Sequence, residues 1–251
     1  MPLNYNMLEN KAYFRIHSEL NDFLNSKEEE TNLPYKFRGN PSIKDAIEAI
    51  GIPHPEVDVI VVNNFSVDFN YHLINDDNVS VYPSSSRPDI SKIVELKDIP
   101  RPRFILDVHL GKLARLLRML GIDSLYRNNY NDREIAQMAP KTNRIVLTRD
   151  RKLLKYKIII HGYWIRSFYP DNQLIEVLKH YKLESELKPF HRCLECNGVI
   201  RSIDKDKVQD RLEPKTKIYY EKFYKCTDCE KIYWKGSHYE NMKTTVDNLI
   251  N

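Results

Sequence analysis

The spacing of four cysteines constrains the fold of this chain more than any other feature. Cys193 and Cys196 form one C-x2-C pair, Cys226 and Cys229 form a second, and 29 residues separate the pairs. Each pair can place two thiolates about 2.3 Å from one ion, and two pairs complete the tetrahedral four-sulfur shell that structural zinc favours. The spacing therefore predicts a zinc ribbon over residues 188–242, in which the ion stabilises a small core.

Disulfide bonds are the alternative for these cysteines, and the expected compartment argues against them. The chain has no run of about 18 apolar residues that could span a bilayer, and its start lacks the order of a signal peptide. We therefore expect a cytoplasmic protein with no membrane partner, whose thiols stay reduced. Its 41% hydrophobic and 29% charged residues are typical of a folded globular chain.

The charges of the chain are segregated along its length. Residues 1–98 carry 9 basic and 16 acidic residues, a balance of −7, whereas residues 99–251 carry 30 basic and 19 acidic residues, a balance of +11. Solvated surface charge can be lopsided without any function. The sharper interpretation is a nucleic-acid-binding surface confined to the second half, because Lys and Arg release counterions when they neutralise phosphates.

Residues 10–83 follow a β-β-α-β-β order. Apolar patterns predict strands at 12–17, 33–38, 57–62 and 79–82, and a helix between Pro41 and Gly51. This order resembles the ubiquitin-like β-grasp fold of small sulfur-carrier proteins. We do not expect the carrier function, because the strand ending at Tyr82 is not followed by a free terminal Gly-Gly. An adaptor domain with a protein partner is the expectation instead.

A second structural pattern begins after a proline-rich segment. Residues 83–102 contain four prolines and three consecutive serines, which predicts an interdomain linker over 84–102. Strands predicted at 103–107, 124–127, 144–148 and 157–160 then alternate with helices predicted at 110–120, 132–139 and 171–181. Such alternation is typical of a parallel α/β sheet, here over residues 103–185.

Four carboxylates lie at strand ends or at a helix start of this second pattern: Asp107, Asp132, Glu134 and Asp150. Because the carboxyl ends of parallel strands open on one crevice, these side chains could converge there and bind Mg²⁺ or Mn²⁺. Such a metal ion activates water for attack on a phosphodiester. Each acid also has a structural alternative, since acidic residues favour helix starts and turns.

Several motifs together resemble a known family. They read FILDVHLGKLARLLRMLGID at 104–123, DREI at 132–135, LTRDRK at 147–152, RCLECNG at 192–198 and YWKGSHYE at 233–240. These motifs, spread over residues 101–242, closely resemble the mut-seven C-terminal ribonuclease-domain family. The resemblance implies an α/β chain with an N-terminal ubiquitin-like β-grasp domain, a central PIN-like nuclease domain and a C-terminal zinc ribbon.

The resemblance also implies functional residues. Asp107, Asp132 or Glu134, and Asp150 fall on the family's presumed metal-binding acids. A fourth acid is usual in PIN-type sites, and Asp123 and Asp171 are the candidates here. His109 stands where the family more often has an apolar residue, which leaves a weakened or inactive site as an alternative.

The expected partner is RNA, with tRNA and the ribosome among the candidates. The residues predicted to contact RNA are basic side chains of the second half: Lys112, Arg115, Arg118, Arg149, Arg151, Lys152 and His238. Ribbon aromatic residues could stack on unpaired bases: Tyr219, Tyr220, Phe223, Tyr224, Tyr233 and Trp234. The predicted function is cleavage of single-stranded RNA with Mg²⁺ or Mn²⁺. The alternative is a non-catalytic protein that binds RNA or the ribosome through the same surface.

Overall fold

A computed structural model of the chain describes residues 9–24, 32–98 and 101–250, without the side chains of 248–250. The described residues form two compact units. The N-terminal unit comprises the described residues up to 98 together with Asp150–Trp164, and the C-terminal unit comprises those from 101 to Arg149 and from Ile165 onward. Within these described ranges, no helix combines the length and the apolar character needed to cross a membrane.

The N-terminal unit contains a five-stranded mixed sheet and one α-helix. Its elements are β1 (Asn10–Ile16), β2 (Leu33–Phe37), α1 (Ile43–Ile50), β3 (Val59–Val62), β4 (Phe65–Val67) and β5 (Asn78–Tyr82). The strand order is β2-β1-β5-β3-β4, with β1 and β5 parallel and the other pairs antiparallel. The predicted ubiquitin-like β-grasp fold is confirmed.

Local sequence explains the sheet and its helix. Alternate residues of β1 are buried, as period-two patterning requires. The Ser42 side chain accepts a hydrogen bond from the Asp45 N–H and begins α1, while Gly51 ends the helix at a φ of 119°. The sequence missed β4, a three-residue edge strand on which Phe65 is exposed.

Residues 150–164 fold with the N-terminal unit. His54 Nε2 lies 2.8 Å from the Ile159 carbonyl oxygen, and the Glu56 carboxylate accepts a hydrogen bond from the Trp164 N–H. The sequence predicted a strand at 157–160, which is wrong: only Ile159 of its three isoleucines is buried, and the strand here is β9 (Gly162–Trp164). The predicted domain boundaries at 10–83, 84–102 and 103–185 stay predictions.

The C-terminal unit begins with a parallel sheet. Its elements are β6 (Phe104–Leu106), α2 (Gly111–Met119), β7 (Ser124–Leu125), α3 (Asp132–Lys141), β8 (Ile145–Thr148) and α4 (Pro170–Tyr181). β6 lies between β7 and β8 and is parallel to both. This arrangement confirms the predicted parallel α/β architecture and turns the carboxyl ends of β6 and β8 toward one edge.

The ribbon forms the rest of the C-terminal unit. Its elements are β10 (Ile200–Ile203), α5 (Pro214–Tyr219), β11 (Phe223–Cys226), β12 (Ile232–Trp234) and α6 (Ser237–Ile250), and the three strands are antiparallel in the order β10-β11-β12. Val208, Leu212 and Phe223 form a buried cluster of the ribbon. A core this small needs an additional stabilising element, which a metal ion held by the four cysteines could supply.

Buried polar contacts join the α/β domain to the ribbon. Arg118 is 3% exposed, and its guanidinium donates to the carbonyl oxygens of Ser124, Leu194 and Glu195 at 2.8 to 3.1 Å. Asn197 donates from Nδ2 to Asp123 and accepts the Ser124 N–H. These contacts bind the first cysteine pair to the end of α2 and the start of β7.

We expect Arg118→Met to lower the free energy of unfolding by about 3 kcal/mol, because it leaves several buried carbonyl groups without donors. Urea denaturation measures this change. Arg115→Met on the same helix is the matched control, since Arg115 is exposed and should tolerate the change. Equal stability of the two variants would contradict the structural role of Arg118.

Candidate functional site

The four cysteines converge as the sequence predicts. Their sulfur atoms all lie within 4.8 Å of one another, with 3.6 Å between Cys193 and Cys229 and 3.4 Å between Cys196 and Cys226. A tetrahedral shell with bonds of about 2.3 Å spaces its sulfurs by roughly 3.8 Å. None of the four forms a disulfide. The cluster can therefore hold a metal ion such as zinc.

Hydrogen-bond donors lie against three of the four sulfurs, although burial raises the pKa of Cys196 and of Cys229. The N–H groups of Gly198 and Asp228 lie 3.4 Å from the sulfurs of Cys196 and Cys226, and the Tyr233 hydroxyl lies 3.0 Å from the Cys193 sulfur. A Cβ atom at Gly198 would lie 2.7 Å from the Cys226 sulfur, so the turn needs glycine. Donors aimed at sulfur stabilise the charged form that binds metal.

The pKa of Cys193 reflects the same contacts. Burial raises this pKa, but hydrogen bonds from Tyr233 and from the backbone N–H groups of Cys196 and Glu195 outweigh it and bring the pKa to about 7. A thiol with a lowered pKa loses its proton to solvent more readily at neutral pH, and the resulting thiolate binds a metal ion.

Asp107 lies at the carboxyl end of β6, where the sequence predicts a catalytic acid. Its side chain is 3% exposed, and its Oδ2 accepts a hydrogen bond from the Thr148 hydroxyl at 2.8 Å. No cationic side chain in the described part of the chain forms an ion pair with it. A buried carboxylate without a cation is costly, and a bound metal ion would offset that cost.

The two acids of α3 are placed differently. Glu134 accepts a hydrogen bond from the Asn131 N–H at 2.9 Å, and Asn131 accepts one from the Glu134 N–H at 3.0 Å. This reciprocal pair is a capping box, the structural alternative for Glu134. Asp132 is the first residue of α3 and is half-buried.

Asp150 belongs to the N-terminal unit, and its Oδ1 accepts a hydrogen bond from the Lys152 N–H at 2.8 Å. Among the described residues, the four cysteines are the group of three or more possible metal ligands whose ligand atoms all lie within 4.8 Å of one another. Asp107, Asp132 and Glu134 do not form such a group within their unit. The assignment of these four acids to catalysis stays a prediction.

The two candidates for a fourth acid are unequal. Asp123 forms ion pairs with Arg103, Arg144 and Arg192. Burial alone would raise the pKa of Asp123, but hydrogen bonds from Arg144 and Asn197 hold it below its ordinary value. The role of Asp123 is therefore structural, because its contacts stabilise the C-terminal unit. Asp171 is exposed in the first turn of α4.

The residues predicted to contact RNA differ in exposure and in their contacts. Lys112, Arg115, Lys152 and His238 are exposed, whereas the structure gives Arg118 the buried role described above, so it does not reach phosphate. The Arg151 guanidinium lies over the Phe23 and Trp164 rings within the N-terminal unit, at 5.1 and 4.0 Å from their centroids.

Arg149 packs on Phe168, one of two adjacent exposed aromatic residues that the sequence analysis missed. Its guanidinium lies 4.0 Å from the Phe168 ring centroid and donates to the carbonyl oxygens of Arg166 and Ser167. Phe168 and Tyr169 are 79% and 73% exposed. The signal that could have indicated them is an aromatic pair directly before Pro170, the first residue of α4. Thr148, which orients Asp107, was missed because its partner lies 41 residues away.

Comparison with known families agrees with this architecture. The Mut7-C RNAse domain matches residues 102–246, and the Mut7-C ubiquitin domain matches residues 9–89. The chain belongs to the Mut7-C RNAse family. The resemblance stated from the motifs is thereby confirmed, and family membership indicates a nuclease or RNA-related function. No curated protein and no solved structure matches the chain.

Proposed function

We propose that this protein is a metal-dependent endoribonuclease that cleaves single-stranded RNA. The observation that carries the proposal is Asp107, a buried carboxylate at the carboxyl end of a parallel strand that has a hydroxyl donor but no cationic partner among the described residues. Its oxygens suit Mg²⁺ or Mn²⁺. Asp132 and Glu134 are the further acids of this unit that we propose for the site, and for Glu134 this requires release from its capping box. The catalytic role of Asp150 stays a prediction from the sequence.

The side chains around Asp107 have distinct parts in the proposed reaction. The Thr148 hydroxyl fixes the orientation of the Asp107 carboxylate. Bound Mg²⁺ or Mn²⁺ would activate water for attack on phosphorus and neutralise developing charge, leaving 5′-phosphate and 3′-hydroxyl ends. Arg149 holds Phe168 in place, and the exposed faces of Phe168 and Tyr169 offer unpaired bases a stacking surface.

The RNA is held by the basic half of the chain. Lys112 and Arg115 project from the exposed face of α2, which begins one short turn after Asp107. Lys152 is a further exposed cation for phosphate, and His238 is a further exposed hydrogen-bonding side chain. We propose a structural zinc ion in the four-cysteine cluster, since four thiolates leave no open coordination position for catalysis.

A non-catalytic protein that binds RNA or the ribosome is the second candidate. It is favoured by one observation, that Asp107, Asp132 and Glu134 do not bring their oxygens within 4.8 Å of one another in the described structure. Metal-dependent turnover distinguishes the two functions. In either case we propose a cytoplasmic location and a protein partner for the β-grasp domain.

RNA binding should weaken steeply with salt. A surface that makes about five phosphate contacts to a single strand would lose roughly 100-fold in affinity over a fourfold rise in salt, from a slope of about −0.7 per contact. Arg115→Glu should weaken RNA binding. It should also reduce the steepness of the salt dependence by the amount expected for the loss of about one phosphate contact or more. Fluorescence anisotropy with a labelled oligonucleotide measures both effects on the full chain.

The matched control is Lys92→Glu, which makes the same charge change at an exposed position of the acidic half. It should leave affinity and slope nearly unchanged. Equal losses in the two variants, or an affinity independent of salt, would contradict a phosphate-binding surface on α2.

A further inference from the structure

The ribbon contains a cavity of about 520 Å³, which we call the ribbon cavity. Its walls come from the segment before the first cysteine pair, from the ribbon strands and from the start of α6. The lining residues are Lys188, Pro189, Phe190, His191, Arg192, Leu194, Ile200, Ser202, Tyr224, Tyr233, Trp234, Lys235, Tyr239 and Met242. The volume lies in the range of small-ligand sites.

The walls of the ribbon cavity are rich in aromatic faces. Of the ribbon residues predicted to stack on bases, Tyr224, Tyr233 and Trp234 line it, whereas Phe223 is buried in the ribbon core and Tyr219 lies outside the lining. The Trp234 side chain is 38% exposed. The Phe190 and Tyr239 rings pack on each other, with centroids 4.7 Å apart. An occupant would therefore meet flat apolar surfaces.

The charge of the lining has one sign. It includes Lys188, His191, Arg192 and Lys235 and contains no acidic side chain, all within the described part of the chain. Arg192 is already engaged by the Asn197 carbonyl oxygen and by Asp123. Lys188 and Lys235 are exposed cations at the rim, and His191 is exposed as well. A ligand of this cavity is expected to carry negative charge next to a flat group.

The walls are fixed by contacts outside the cavity. The N–H groups of Lys188 and Phe190 each donate to a carbonyl oxygen at the end of α2 at 2.9 Å. Gly121 allows this approach, since a Cβ atom there would lie 2.1 Å from the Lys188 carbonyl oxygen. The Tyr233 hydroxyl is held at the Cys193 sulfur. The four-cysteine cluster and α2 therefore preform the cavity, which reduces the cost of binding.

We propose that the ribbon cavity binds one unpaired nucleotide of the RNA substrate, with its base against Trp234 and its phosphate near Lys235 and Lys188. Single-stranded RNA is recognised in this way, through bases splayed onto aromatic faces beside cationic groups. An acidic peptide would use the cations but has no flat group for the walls. The inference rests on the proposed RNA-cleaving function and adds to it a site in the ribbon that binds the RNA strand.

The test compares Trp234→Ala with Tyr219→Ala in the full chain. Both positions carry exposed ribbon aromatics, but only Trp234 lines the cavity. Trp234→Ala should weaken binding of a single-stranded oligonucleotide by about 5- to 150-fold, as expected for losing one base stack. Tyr219→Ala should leave affinity unchanged. With an oligonucleotide that lacks bases, Trp234→Ala and the wild type should bind equally.

Tryptophan fluorescence provides a second measurement that does not depend on an alanine at the cavity wall. RNA should quench the wild type, and Trp234→Phe should abolish most of the quenching while largely preserving affinity. Metal content of each variant must equal that of the wild type. Two results together would overturn the cavity assignment but not the proposed function. In the first, Trp234→Ala binds RNA as tightly as Tyr219→Ala does. In the second, RNA still quenches the fluorescence of Trp234→Phe. A wild type that binds no RNA would overturn the proposed function as well, and displacement of RNA by polyglutamate with equal quenching would identify an acidic peptide as the ligand.

Discussion

Asp107→Asn is expected to reduce RNA cleavage by roughly a thousand-fold or more, because a metal ion contributes several kcal/mol to stabilising the transition state. RNA affinity should stay equal or rise slightly, since the change removes a negative charge that repels phosphate. The fold should persist, because an Asn side chain can still accept the Thr148 hydrogen bond at this buried position. A labelled single-stranded RNA, assayed with Mn²⁺ and with EDTA, measures cleavage.

Two further variants separate catalytic from structural acids. Asp150→Asn keeps an acceptor for the Lys152 N–H, so loss of cleavage with unchanged stability would support a metal ligand at Asp150. Glu134→Gln should preserve most of the capping box, whereas Glu134→Ala should lower stability by about 1 kcal/mol. Cleavage that falls only in proportion to unfolding identifies a capping role.

The controls for this experiment are the metal and the enzyme preparation. Cleavage that persists equally in EDTA and in Asp107→Asn indicates a contaminating nuclease. A wild type that binds RNA but cleaves none of a varied set of strands with Mg²⁺ or Mn²⁺ would favour the non-catalytic alternative. Asp171→Asn is an informative comparison, because Asp171 is an exposed acid of the same unit as Asp107. If Asp171 is not the fourth metal ligand, this substitution should leave cleavage unchanged.

Features with a local sequence signal were predictable. Ser42 and Gly51 delimit α1, the alternation in β1 marks its buried face, and two C-x2-C pairs predict the four-cysteine cluster that could hold a metal ion. Each signal depends on residues close in sequence, where capping, pleating and chelation operate. The position of Asp107 at a strand end was predictable in the same way, because it directly follows a short apolar strand. Its catalytic role stays a prediction.

Features that depend on distant partners were not predictable. Arg118 occupies a polar position of an amphipathic helix, and its burial follows from carbonyl groups at Leu194 and Glu195, 76 and 77 residues away. By its sequence position Asp123 is a candidate metal ligand, but in the structure it forms ion pairs with Arg144 and Arg192. The run at 157–160 was apolar enough for a strand, yet no pattern showed that it would form a turn.

The ribbon is expected to lose its metal and unfold in Cys226→Ser. A serine hydroxyl is not ionised at neutral pH, so it cannot replace a thiolate in the shell. Binding energy of about 10 to 16 kcal/mol for structural zinc in small domains is part of their folding energy. The buried cluster of three apolar side chains here contributes less, roughly 5 to 9 kcal/mol. Zinc content should fall from one ion per chain to near zero.

The effect of Cys226→Ser should extend beyond the metal because its neighbours share the same contacts. Cys226 pairs with Ile200 in the sheet, and Tyr233, which lines the ribbon cavity, is held at the Cys193 sulfur. RNA affinity and Trp234 quenching should therefore fall together with zinc, while Thr227→Ser, a change at the exposed neighbouring residue, leaves all three intact. Elemental analysis, limited proteolysis and anisotropy measure the three effects. Wild-type protein purified without chelators that contains no zinc, or that carries Cys193 and Cys196 as a disulfide, would show that the ribbon is stabilised in another way.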